Sequence, residues 1–265
     1  MNSTAAVGVT LGRIIRRDRV VLIASAFVVG SAAWLFLLTV HHPGAHGASV
    51  WQPHWQSWGW TAYAWTVAVW MVMMVAMMLP AVVPWALFFA RSNRLADGPG
   101  READVSVLSF LSGYFVIWFL YSLAAAGVQL SLQHVAASRP IDDAVATAGS
   151  GLVLVLAGAF QLTELKQACL RHCRSPLGFF LTRWQDGPAG AARMGFRHGV
   201  VCLGCCWALM AVALALGAAN LAWMVALTAV ICVETLLPHG DRVGRGIGVV
   251  LIAWGTTLAL LAALV

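Results

Sequence analysis

Seven apolar runs, each near the ~20 residues that carry a helix across about 30 Å of hydrocarbon, recur along this 265-residue chain and dictate its architecture. They lie near 20–40, 61–89, 105–130, 148–168, 199–218, 221–237 and 247–264. A backbone in lipid must satisfy its own N–H and C=O groups, and runs of this length do so as α-helices. The expected fold is therefore all-α, a polytopic transmembrane helix bundle forming one integral membrane domain over residues 1–265. With 61% hydrophobic side chains and 10% charged ones, no class of soluble domain fits. The first run follows RRDR but is about 21 residues long, beyond the ~7–15 of a signal-peptide core, so it reads as a retained anchor.

Basic residues are held on the cytoplasmic side during insertion. With the N-terminus inside and seven spans, the C-terminus lies outside. The inward segments then hold Arg13, Arg16, Arg17, Arg19, Arg91, Arg94, Arg101, Lys166, Arg171, Arg174, Arg183, Arg193, Arg197, Arg242 and Arg245. Of the 16 basic residues only Arg139 falls outside. This asymmetry supports the seven spans and the N-in, C-out orientation together. The net charge of +6 is accounted for by inward loops against anionic lipid and calls for no nucleic-acid partner.

Spanning a membrane does not require CLGCCWALM, residues 202–210. At helical pitch Cys202, Cys206 and Met210 share a face, with Cys205 beside them. Cys169 and Cys173 share a face at i, i+4 where the fourth span leaves the membrane, and Cys232 nears the end of the sixth. The topology brings all six cysteines to the cytoplasmic side, where thiols stay reduced. Two activities suit such a cluster. Thiolates ligate Cu(I), Zn(II) or iron–sulfur clusters. A CxxC at a helix start, Cys202 and Cys205, also suits thiol–disulfide exchange, with Cys169 or Cys173 as the resolving pair. A packing role, in a scaffold subunit of a larger membrane complex, is the third reading.

The second span adds Met71, Met73, Met74, Met77 and Met78, followed by Pro80 and Pro84, which are expected to kink or break the helix. Met73 stacks on Met77 and Met74 on Met78 as two thioether rows. Thioethers select Cu(I) over harder ions, and the rows favour copper over zinc. In the first outward loop, His41, His42, His46 and His54 offer imidazoles to a divalent ion, while Trp51, Trp55 and Trp58 suggest a short interfacial helix. Gln129 and Gln133 are expected to bond across helices or to interfacial water, and Gly113 permits close helix approach. Glu164 and Lys166 sit near the inner boundary of the fourth span, where an unpaired carboxylate such as Glu164 is costly. Residues 174–197 read as a cytoplasmic loop rich in Arg, Gly and Pro. No nucleotide-binding motif, GxSxG or catalytic carboxylate pair is present, and the chain reads as a binding or transfer protein more than an enzyme.

AMMLP (76–80), QLTELKQACLRHCRSP (161–176), and CLGCCWALM with the following NLAWM and Glu234 resemble the signatures of a bacterial domain-of-unknown-function family described as predicted metal-binding integral membrane proteins. The resemblance runs from Trp70 to Pro238 and implies metal binding through Met73, Met74, Met77, Met78, Cys169, Cys173, Cys202, Cys205, Cys206 and Glu234, with Pro80 part of the pattern. Two positions depart from it. Glu164 stands where a proline is usual, and Thr235 where a lysine is expected, so no adjacent lysine serves Glu234. The expectation is a Cu(I)-binding membrane protein whose metal ligands come from these residues with Met210 and Cys232, handing copper to a membrane or periplasmic acceptor.

Overall fold

A computed structural model describes residues 3–40, 59–97, 101–138, 142–216 and 220–264. Among these the regular structure is all helical and without strands. In chain order it comprises α1 (Ser3–Val40), α2 (Trp60–Asp97), α3 (Arg101–Ser138), α4 (Asp143–Gln161), α5 (Glu164–Cys173), α6 (Pro176–Arg183), α7 (Gly187–Leu216), α8 (Leu221–Leu236) and α9 (Gly240–Ala262). Six of them, α1, α2, α3, α4, α7 and α9, are long and apolar enough to cross a membrane. The sixth expected span is the shorter apolar α8, of 16 residues. The expected histidine and tryptophan cluster, His41, His42, His46, His54, Trp51, Trp55 and Trp58, lies outside the described residues.

Three sequence expectations change. The apolar run 148–168 is two helices, because Thr163 takes an extended backbone and its hydroxyl accepts the Lys166 N–H at 3.2 Å, starting α5 afresh. The presumed loop 174–197 is mostly helical. Pro176 opens α6 at its first turn, Phe179 and Phe180 pack on Trp85, and α7 begins at Gly187, whose φ of 74° suits glycine, so Cys202 and Cys205 lie in mid-helix and not at a helix start. Finally, α2 continues unbroken through Pro80 and Pro84, both exposed on its outer side. The rings project away from the core and leave the apolar neighbours to hold the helix.

Two helix pairs approach backbone to backbone. α3 lies along α7, with Gly113 against the Ala192 carbonyl and Gly195 against the Phe110 carbonyl. α4 lies along α9, with Gly151 and Gly158 facing Gly255 and Gly248. Small residues supply the close contact that drives helix association where lipid is as apolar as leucine. Trp70 ties α2 to α3, its indole N–H donating to Gln129 Oε1 at 2.7 Å, as the position of Gln129 suggested.

At Gly195 a methyl group would meet the Phe110 backbone, which cannot rotate aside. We expect Gly195→Ala to destabilise by about 1–3 kcal/mol or more, against a helix-propensity gain of about 1 kcal/mol. Gly246→Ala, with open space around its Cβ, should be neutral or stabilising. Unfolding of the purified protein in mixed detergent, followed by circular dichroism, separates the two.

Candidate metal centre

The short helix α5 is amphipathic, with Lys166, Leu170 and Cys173 buried along one stripe and Glu164, Arg171 and His172 exposed. Its C-terminal end is fastened from two directions. The Trp85 indole donates to the Cys173 carbonyl at 2.9 Å, and Arg174 donates to the Leu237 and Pro238 carbonyls, both at 2.6 Å. These bonds hold Cys173 against α7, where Cys202, Cys205, Cys206 and Met210 all face the core.

The sulfurs of Cys173, Cys202 and Cys205 lie within 4.8 Å of one another, and all three residues are buried. Thiolates bound to a common first-row ion at about 2.3 Å stand roughly 4 Å apart, so the trio needs little movement to close on one. It joins two elements 29 to 32 residues apart in sequence, as 202 − 173 and 205 − 173 give. The Tyr114 hydroxyl lies 3.2 Å from Cys202 Sγ and fixes that sulfur from the α3 side. The Cys205 and Cys206 thiols donate to the Cys202 carbonyl at 3.0 and 2.9 Å. The sulfur of Cys202 beside it, then that of Cys205, then burial, push the Cys173 thiol well above the ordinary cysteine range. Burial, followed by Cys205, raises Cys169 as well, and Lys166 opposes the shift. A metal ion would take the place of these protons.

The other expected ligands divide. Cys169 lies outside the trio, partly exposed, with its sulfur over Gly204 of α7. Cys206 is buried one turn beyond Cys202, and Cys232 is partly buried on α8. Neither belongs to the trio. Met73, Met74, Met77, Met78 and Met210 are each at most 1% exposed and share one continuous apolar core with the trio.

The family model for PpoB2, described as a copper chaperone, matches residues 67–258. The chain belongs to this copper-chaperone family. No curated protein and no solved structure matches it. The part shared with the copper-chaperone family holds the trio, the methionine rows and Glu234, whereas α1 and the histidines His41, His42, His46 and His54 precede it in sequence.

Within that shared part, Glu234 does have a lysine, from another helix. Lys166 Nζ lies 2.6 Å from Glu234 Oε2, and the Gln161 amide donates to Glu234 Oε1 at 2.8 Å. The ion pair is fully enclosed, both side chains being at most 2% exposed. Gly240 and Gly244 of α9 leave room for Glu234, since a methyl group at either would strike it. The missing lysine at 235 is thus made good by one 68 positions before Glu234. Glu164, the other carboxylate considered at this boundary, is exposed on the polar side of α5.

Sequence reading passed over His198. It is 2% exposed, one turn ahead of Cys202 on α7, and stacked on Trp85 with ring centroids 3.7 Å apart. Its ring also lies 5.3 Å from that of Tyr114, and its Nδ1 has no hydrogen-bond partner. The available signal was an i, i+4 match to Cys202 inside RMGFRHGVVC. Trp85 therefore touches the centre twice, through the Cys173 carbonyl and through the His198 ring.

Proposed function

We propose that this chain binds Cu(I) within a bacterial inner membrane and passes it to a membrane or periplasmic acceptor protein. The observation that carries this is the buried trio Cys173, Cys202 and Cys205, three soft donors converging from two helices. Membership of the copper-chaperone family supports copper as the cargo over zinc. The metal is held as Cu(I), because a thiolate trio beside thioethers matches the softer oxidation state. Met73, Met74, Met77, Met78 and Met210 form weaker successive stations along the core, which suits transfer because an ion held too tightly does not leave. The N-in orientation argued from the basic residues puts the trio on the cytoplasmic side.

The test is elemental analysis of anaerobically purified protein alongside the Cys202→Ser, Cys205→Ser double variant, both reconstituted with Cu(I). We expect close to one copper per parent chain and loss of it from the variant. No copper in either overturns the proposal. A disulfide between these cysteines under mild oxidation, in protein that takes up no metal, would favour the thiol–disulfide oxidoreductase instead.

A further inference from the structure

A metal enclosed by three buried sulfurs poses a kinetic problem, because no donor protein or small thiol can reach all three at once. The solution lies one turn back along α5. Cys169 is partly exposed, and the three sulfurs of the trio are buried. Its sulfur rests on α7 directly over Gly204, where a Cβ would come within 3.0 Å of it. Gly204 adjoins Cys205, so the bare backbone of α7 at this point lets the outer thiol lie close beside a residue that carries a trio sulfur. Cys169 and Cys173 are carried by the same short helix. That helix is pinned in place by the Lys166–Glu234 pair at one end and by Arg174 and Trp85 at the other.

We infer that Cys169 is the exchange thiol of the centre, the residue that takes Cu(I) from an external thiolate complex and passes it across Gly204 to Cys205. This rests on the proposed copper function and extends it. The step is ligand exchange without oxidation or reduction. The Cys169 S–H proton passes to the departing donor thiolate as the Cys169 sulfur–copper bond forms and the donor sulfur–copper bond breaks. Copper remains Cu(I). Cys205 then loses its own proton, bonds the ion and displaces Cys169, which is reprotonated. The outside partner is defined by chemistry as a Cu(I)–thiolate complex, small or protein-borne, and release runs the same steps in reverse. Rates of such exchange depend on access to the attacking thiol, and exposure sets Cys169 apart from the buried trio.

The experiment uses the full-length protein in detergent, with Cu(I)–dithiothreitol as donor and bicinchoninate as the coloured acceptor. Cys169→Ser is expected to bind copper to the parent stoichiometry while loading and unloading roughly tenfold or more slowly. Gly204→Ala should slow transfer in the same direction with every thiol retained. Unchanged rates in Cys169→Ser overturn the exchange role and leave the copper centre standing. Loss of copper from Cys169→Ser also overturns it, by making Cys169 a resting ligand. In apo protein, limiting iodoacetamide should modify Cys169 before Cys173, Cys202 or Cys205, and equal labelling of the trio would count against it without reference to copper. Parent protein that binds no copper removes the proposed function and this role together.

Discussion

Cys173→Ser is expected to weaken Cu(I) binding by roughly 10²–10³-fold while the helical bundle stays intact. Structural zinc sites with four Cys or His ligands are worth about 10–16 kcal/mol, or about 2.5–4 kcal/mol for each ligand, and a loss of that order is expected here. The variant isolates the ligand effect because serine preserves the backbone, and both fastenings of this end of α5 survive: the Trp85 bond uses the Cys173 carbonyl, and Arg174 bonds Leu237 and Pro238. Cys232→Ser, outside the trio, is the matched control and should leave affinity within about twofold. Competition against a Cu(I) chelator of known affinity reads both. Equal affinity in parent and Cys173→Ser would remove α5 from the centre and leave a site made by α7 alone.

The second large effect concerns stability. Lys166→Met leaves Glu234 enclosed without its cation, and Glu234→Leu leaves the lysine enclosed without its anion. Each single change is expected to cost about 3–5 kcal/mol, because an uncompensated buried charge loses its attraction but keeps its desolvation penalty. The double variant Lys166→Met, Glu234→Leu should recover most of that loss, since an apolar pair of similar volume replaces a buried ion pair at little cost. Denaturation in mixed detergent measures all three. If the double variant fell as far as the sum of the singles, the two residues would be acting independently and the pairing across α5 and α8 would be of no consequence for stability. Copper binding by the double variant asks a separate question, whether α5 stays in register to present Cys173 without its ionic anchor.

Much of this architecture can be read from hydropathy alone, since in lipid the length of an apolar run determines what the backbone can do. The periodic part of the site is equally visible. Cys202, Cys205 and Cys206 are close in sequence and fall on neighbouring faces of one helix, so pitch suffices to group them. What periodicity cannot supply is the meeting of separate helices. That Cys173 rather than Cys169 completes the trio depends on how α5 rolls against α7, which is determined by Trp85 of α2 and by the bonds from Arg174, at the end of α5, to the turn after α8. Glu164 was the charge that looked costly, but the enclosed one is Lys166, whose partner lies 68 residues on, and expectation had looked for a lysine beside Glu234. The break at Thr163 is a local cap overridden in reading by the apolar residues around it. His198 was hidden for another reason, falling beside Arg197 at the junction between a segment read as a loop and the apolar run that follows.

The two prolines of α2 have a mechanical consequence. Pro80 and Pro84 lack N–H groups, so the carbonyls of Ala76 and Pro80 have no donor one turn ahead and two rungs of the helix are missing. Bending stiffness is lowest there, between the half that carries Met73, Met74, Met77 and Met78 and the half that carries Trp85. The latter half is anchored to Cys173 by a hydrogen bond and to His198 by ring stacking. The helix is thus weakest between two anchors, the Trp70–Gln129 bond on the thioether side and Trp85 on the thiol side.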